Sequence, residues 1–131
     1  MSQIRAITVA NVQYNVVQAS AVNQKKLMLL LAGKIALNSA AGGVEKINVT
    51  MLVGALMTLN EATFDEIANI VMYKTVVAGK SELVTIDNFQ GGMSKYFTLV
   101  AEGIAYNLED FFDWLDSENA AARAKRKEAK A

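Results

Sequence analysis

The sequence predicts a mostly α-helical, single compact domain with a short extended segment at its N-terminus and a small hairpin near residues 75–86. Three observations carry this. Apolar side chains recur at i, i+3, i+4 and i+7 over most of the chain, the spacing of a helix with one buried face. Alternating β-branched residues are confined to the beginning. The length, 131 residues, suits one domain, and such a domain buries enough surface to fold without a disulfide or metal. The helical domain is assigned to residues 1–116. Residues 117–131 form a polar, basic tail, helical at first and then frayed.

Residues 4–18 hold Ile4, Ile7, Val9, Val12, Tyr14, Val16 and Val17, which read as one or two strands, with Asn11 as the turn between them. Asn23 is a candidate N-cap for a helix that carries Leu27, Leu30, Leu31 and Ile35 to about Leu37. Residues 38–43 read as a loop broken by Gly42-Gly43. Asn48 is positioned to cap a second helix, with Val49, Leu52, Val53, Leu56 and Met57 on one face and Met51, Ala55 and Leu59 on another. A helix apolar nearly all round belongs in a core or an interface.

Thr63 and Glu66 have the spacing of a capping box. The stripe Phe64, Ile67, Ala68, Val71 and Met72 then specifies the most secure helix of the chain, ending near Lys74. Thr75–Val77 and Leu83–Ile86 flank Ala78-Gly79-Lys80 and suggest a short hairpin, although Thr75–Val77 also fits a continuation of the helix. Asp87 is a candidate cap, and Gly91-Gly92 loosens the chain ahead of the next element. From Met93 the stripe Phe97, Val100, Ala101, Ile104, Leu108, Phe111, Phe112 and Leu115 resumes helical register. Either one helix runs through Asn107, or two abut there.

Composition narrows the chemistry. The chain has no Cys and no His, so it lacks thiolate ligands, the commonest metal ligand and the commonest general base. Neither a metal nor a cofactor is expected, and only carboxylates remain as catalysts. Asp65 and Glu66, and Glu109 and Asp110 if a helix restarts at Asn107, are read as first-turn acids that favour the helix dipole, not as a catalytic pair. Gly42-Gly43 and Gly91-Gly92 lack the spacing of phosphate loops, and Lys74 stands where Gly79-Lys80-Ser81 would need its first glycine. An enzyme is therefore the least supported class.

Thirteen basic and thirteen acidic residues cancel, so no net field draws the chain to nucleic acid or to an anionic membrane. Apolar residues make up 53 % of the chain and charged residues only 20 %, which suits either self-association or a monomer with a large core. The first residues lack a secretory pattern and the longest uncharged helical candidate, 47–60, is too short to span a bilayer. A soluble cytosolic protein is expected. The tail carries five positive and two negative residues from Ser117 onward, without aromatics for base stacking. It reads as solubilising, with nucleic-acid contact the minor alternative.

The most unusual segment is 107–116. On a helix Leu108, Phe111, Phe112 and Leu115 share one face, Glu109, Asp113 and Asp116 fall largely opposite, and Trp114 lies at the flank. The segment fits a core-facing helix with an acidic outer side. It also fits an aromatic anchor for a partner, and Trp114 is then the better anchor because the stripe does not require it.

The run Phe97-Thr98-Leu99-Val100-Ala101-Glu102-Gly103-Ile104-Ala105-Tyr106-Asn107-Leu108-Glu109-Asp110-Phe111-Phe112 resembles the C-terminal pattern of tail assembly chaperones of long-tailed bacteriophages. That pattern is an apolar helix, an Asn, and then an acid followed by Phe-Phe. Asn107, Asp110, Phe111 and Phe112 match it, and the order of the remaining elements is similar. The resemblance implies a non-enzymatic protein that coats the long tape-measure protein and keeps it soluble before tail-tube protein polymerises around it. It also implies self-association, in some members as open spirals, in the host bacterial cytoplasm, with no place in the mature virion. Some members have a longer frameshifted form, whose extension would join at Arg123–Ala131. The partner-contacting residues it implies are Asn107, Asp110, Phe111 and Phe112, beside Trp114 from the segment's own pattern. Two other classes stay open: a structural minor tail or connector subunit of the virion, and a small regulatory or nucleic-acid-binding protein that uses the basic tail.

Overall fold

The structure is a computed structural model, and it describes residues 3–42, 49–114, 117 and 118, with the backbone alone over 32–42. It is mostly helical with a small antiparallel sheet, as the periodicities predict. Strands β1 (Ile4–Val9) and β2 (Val12–Val17) pair from Ile4↔Val17 to Val9↔Val12. Ala10 and Asn11 join them with φ of 50° and 68°. Two successive left-handed residues make the tight turn whose twist matches the strands, and Asn tolerates that region better than most residues. Ile7, Val9, Tyr14 and Val16 face the core, while Ala6, Thr8 and Gln13 face outward.

Helix α1 (Ala21–Gly42) begins one turn earlier than expected and runs through 38–42 of the residues read as a loop, Gly43 lying outside the described residues. Its cap is Ser20, not Asn23: the Asn23 backbone N–H donates to the Ser20 hydroxyl at 3.3 Å. Asn38 and Ser39 do not end it, because Ala40 and Ala41 favour helix and offset two weak neighbours. Helix α2 (Val49–Leu56) buries Leu52, Ala55 and Leu56, but Met57 lies past its end and is 70 % exposed. The proposed Asn48 cap lies outside the described residues, as do Leu115 and Asp116.

Helix α3 (Glu61–Val71) is capped by Asn60, whose side-chain oxygen accepts from the Thr63 N–H at 2.8 Å. The Thr63–Glu66 capping box is thus corrected: the helix starts before Thr63, so Asp65 and Glu66 fall in its second turn and Glu61 is the first-turn acid. Phe64, Ile67, Ala68 and Val71 are buried as the stripe requires. The helix stops at Val71, and Lys74 takes φ 60° in the turn beyond it.

Strand β3 (Val76–Val77) rules out a helical continuation. Val76 bridges Leu83, and the Val84 N–H donates to the Thr75 carbonyl at 2.8 Å, which closes the expected hairpin around Gly79 at φ 84°. Its longer pairing is with β2, giving a sheet ordered β1-β2-β3. A 3₁₀ turn (Ile86–Phe89) follows, with Thr85 rather than Asp87 at its start: the Thr85 N–H donates to the Asn88 side-chain oxygen at 2.7 Å.

Helix α4 (Met93–Asn107) is the hub, packing against α2, α3, β1 and the 3₁₀ turn. That many neighbours bury more than one stripe: Tyr96, Leu99, Val100, Ala101, Gly103 and Ile104 are all inside, whereas Phe97 is half-buried. At Gly103 the helices α3 and α4 meet so closely that an added Cβ would stand 3.2 Å from Val71 Cβ. Phe89, between Tyr14 at 6.1 Å and Tyr96 at 5.3 Å, joins the sheet to the helices. Leu108, at φ −113°, ends α4, and the backbone is helical again over 109–114.

Candidate partner-binding surface

The residues of the Asn–acid–Phe–Phe segment separate into three environments. Asn107 closes α4 and is 6 % exposed. Its side-chain oxygen accepts from the Ala19 backbone N–H at 2.7 Å, and its amide nitrogen donates to the Gly103 carbonyl at 2.8 Å. A backbone N–H must meet an oxygen, so the orientation of the amide is determined. Asn107 therefore clamps the junction of β2 and α1 onto the end of α4, and its polar groups face inward.

Phe111 and Phe112 are half-buried and pack against the core. Their rings lie 5.8 Å apart, and Phe111 stacks on Trp114 at 6.0 Å with 29° between planes. Trp114 is 56 % exposed and Asp110 is exposed. Helical hydrogen bonds run through Leu108, from its N–H to the Ile104 carbonyl and from the Phe112 N–H to its own carbonyl, both at 2.9 Å, so Trp114 stays at the flank of the apolar stripe. Of the five expected contact residues, the ones able to meet a partner without unfolding are Trp114, Asp110 and the outer edges of the two Phe rings. Glu109 is tied to Arg5 of β1 by an ion pair of 3.0 Å, and the Arg5 guanidinium lies 4.4 Å above the Tyr106 ring.

A second apolar surface arises from residues that the sequence reading did not single out. Tyr73, Leu83 and Ile86 are 59 %, 60 % and 49 % exposed. They rim a groove of about 540 Å³ whose floor includes Met72, Val84 and Tyr96 and whose polar lip holds Asp65 and Asn69. The Tyr73 ring also borders a hollow of about 510 Å³ on its other side, against Ile4, Val17 and Ile70. Burial raises the pKa of Tyr96 above the ordinary tyrosine value, with the Asp65 carboxylate adding to the effect, so its phenol stays neutral in the groove wall. A signal existed for Tyr73, which follows the α3 stripe out of phase. None existed for Leu83 and Ile86, since hairpin residues look alike whether covered or bare.

Among the described residues no group of three or more His, Cys, Asp or Glu side chains is placed to hold a metal ion. No helix among them is long and apolar enough to cross a membrane. The exposed features are apolar and shallow, which suits contact with another polypeptide. The family model described as phage tail assembly chaperone protein (TAC) matches residues 9–120. No curated protein and no solved structure matches the chain.

Proposed function

Because the chain belongs to the phage tail assembly chaperone family, we propose that it binds the tape-measure protein, keeps it soluble and self-associates while the tail is built. The match over 9–120 carries this reading, since it spans nearly the whole helical domain, far beyond the segment around Asn107. The exposed apolar surfaces support it physically. A tape-measure protein is long and largely helical, and apolar side chains on one face of a helix seat in grooves of the kind that Tyr73, Leu83 and Ile86 rim. Trp114 offers a separate aromatic anchor on the other flank of α4. The role needs no catalysis. It is exercised in the host bacterial cytoplasm, and the protein leaves before the virion is complete.

Co-expression with the tape-measure protein of the same phage tests this. The long protein is expected to stay soluble and to co-purify with the chain. A tape-measure protein that aggregates equally with and without it, and never co-purifies, refutes the reading. Mass spectrometry of purified particles distinguishes a chaperone, which is absent, from a tail or connector subunit, which remains.

A further inference from the structure

Among the described residues, no strand and no hydrogen bond meets the outer edge of β1. The register of the hairpin, with the Gln18 N–H donating to the Gln3 carbonyl at 2.7 Å, directs the backbone groups of Arg5, Ile7 and Val9 toward β2. Those of Ile4, Ala6 and Thr8 point the other way, and no described hydrogen bond reaches them. Their side chains are all exposed. Sheets normally blunt such an edge with lysine, proline, a bulge or a covering element. The segment Ile4–Val9 has no proline and an unbroken register, and its single charge, Arg5, points to the opposite face.

Beneath this edge lies a hollow of about 200 Å³, lined by Arg5, Ile7, Glu102, Tyr106, Glu109 and Asp113 among others. Three carboxylates face one guanidinium, and that guanidinium is engaged with Glu109. An occupant of the edge must be an extended strand that is small and uncharged on its outer face. Strand β1 has this pattern.

We propose that β1 of a second copy pairs antiparallel with this edge across a two-fold axis at Ala6, making one six-stranded sheet. The proposal rests on the self-association in the proposed function and gives it a surface. In this register Ala6 faces Ala6 of the second copy, and Ile4 faces its Thr8. All three pairs exchange backbone hydrogen bonds, so every outward group of Ile4, Ala6 and Thr8 is satisfied. The small Ala6 side chains sit at the axis without crowding. Arg5 lies opposite Ile7 of the second copy on the inner face, and its guanidinium keeps its ion pair with Glu109 of its own chain. Formal neutrality leaves no long-range repulsion against the pairing. The contact is closed and makes pairs; larger assemblies need a second surface.

The chain contains no cysteine, so one introduced thiol reports position directly. Residues at the axis have Cα atoms about 5.5 Å apart, within disulfide range. Under mild oxidation Ala6→Cys, purified without any tape-measure protein, is expected to form a covalent dimer. Gln13→Cys, equally exposed but on β2, is expected to crosslink at least about tenfold less. Equal crosslinking at both positions, or none at either, overturns the register. Ala6→Lys and Ala6→Glu are both surface changes. Each alone is expected to weaken self-association about tenfold or more, and mixing the two is expected to restore it, as like charges face each other in one case and opposite charges in the other. Unchanged association in both variants overturns the proposal. It leaves the tape-measure reading standing, because that reading is judged by co-purification.

Discussion

Replacing Asn107 by alanine removes a buried clamp, and its cost can be worked bond by bond. The Ala19 N–H loses its acceptor in a part-buried site, which costs about 1–3 kcal/mol for an unsatisfied donor. The Gly103 carbonyl loses less, about 0.5 kcal/mol, because helix geometry also gives it the Asn107 backbone N–H. The total is about 1.5–3.5 kcal/mol, a large share of the roughly 5–15 kcal/mol that holds a typical domain together. For a chain of this length the melting temperature should fall by about 5–14 °C. Urea unfolding followed by far-UV circular dichroism measures this, with the slope against denaturant expected to stay the same. Asn107→Asp keeps the acceptor for Ala19 but places a charge among carbonyls at a helix C-terminus, so it too should be destabilised near neutral pH. An Asn107→Ala protein within about 0.5 kcal/mol of the parent refutes the clamp.

Trp114 should behave in the opposite way. Trp114→Ala is expected to change stability by less than about 1 kcal/mol, because the ring is mostly exposed, while reducing tape-measure co-purification severalfold; unchanged pull-down yield would remove it as an anchor. Phe112→Ala, by contrast, should lose about 1–3 kcal/mol in the same unfolding assay, since its ring packs on the core. Thr75 is fully buried and its hydroxyl has no hydrogen-bond partner among the described residues. Thr75→Val keeps the shape and removes the desolvated hydroxyl, so the urea midpoint should rise by an amount worth about 1 kcal/mol. Tyr14 and Tyr96 both have pKa values raised above the ordinary one, each chiefly by burial. Between the unfolded and folded values the unfolded chain ionises first, so the contribution is complete below about pH 10 and is lost as pH rises above it. Titration of stability upward from neutral pH should show that decline together with late-appearing tyrosinate absorbance.

Local features were legible wherever a side chain's own chemistry decides the backbone. Asn11 marks the hairpin turn because it tolerates a left-handed conformation. The stripe from Phe64 to Val71 marks α3 because only one helical face can be apolar and still leave the other in water. Helix starts were less legible. Ser20, Asn60 and Thr85 cap their elements although Asn23, Thr63 and Asp87 have similar chemistry, since several neighbouring residues can serve and the fold of the preceding chain selects among them.

Apolar periodicity shows which faces avoid water, not what covers them. Strand β3 lies against β2 because α3 delivers it there, and no residue of Val76–Val77 announces that partner. Asn107 stands out in the sequence as part of a contact motif, yet tertiary packing turns it inward to meet Ala19, 88 residues away. The helical class, the hairpin and the absence of imidazole and thiol chemistry were determined by the sequence alone, because they follow from residue type and spacing. The clamp at Asn107, the Tyr73 groove and the edge of β1 that no other described strand meets were decided only by tertiary structure. Each depends on which distant segments are brought beside it.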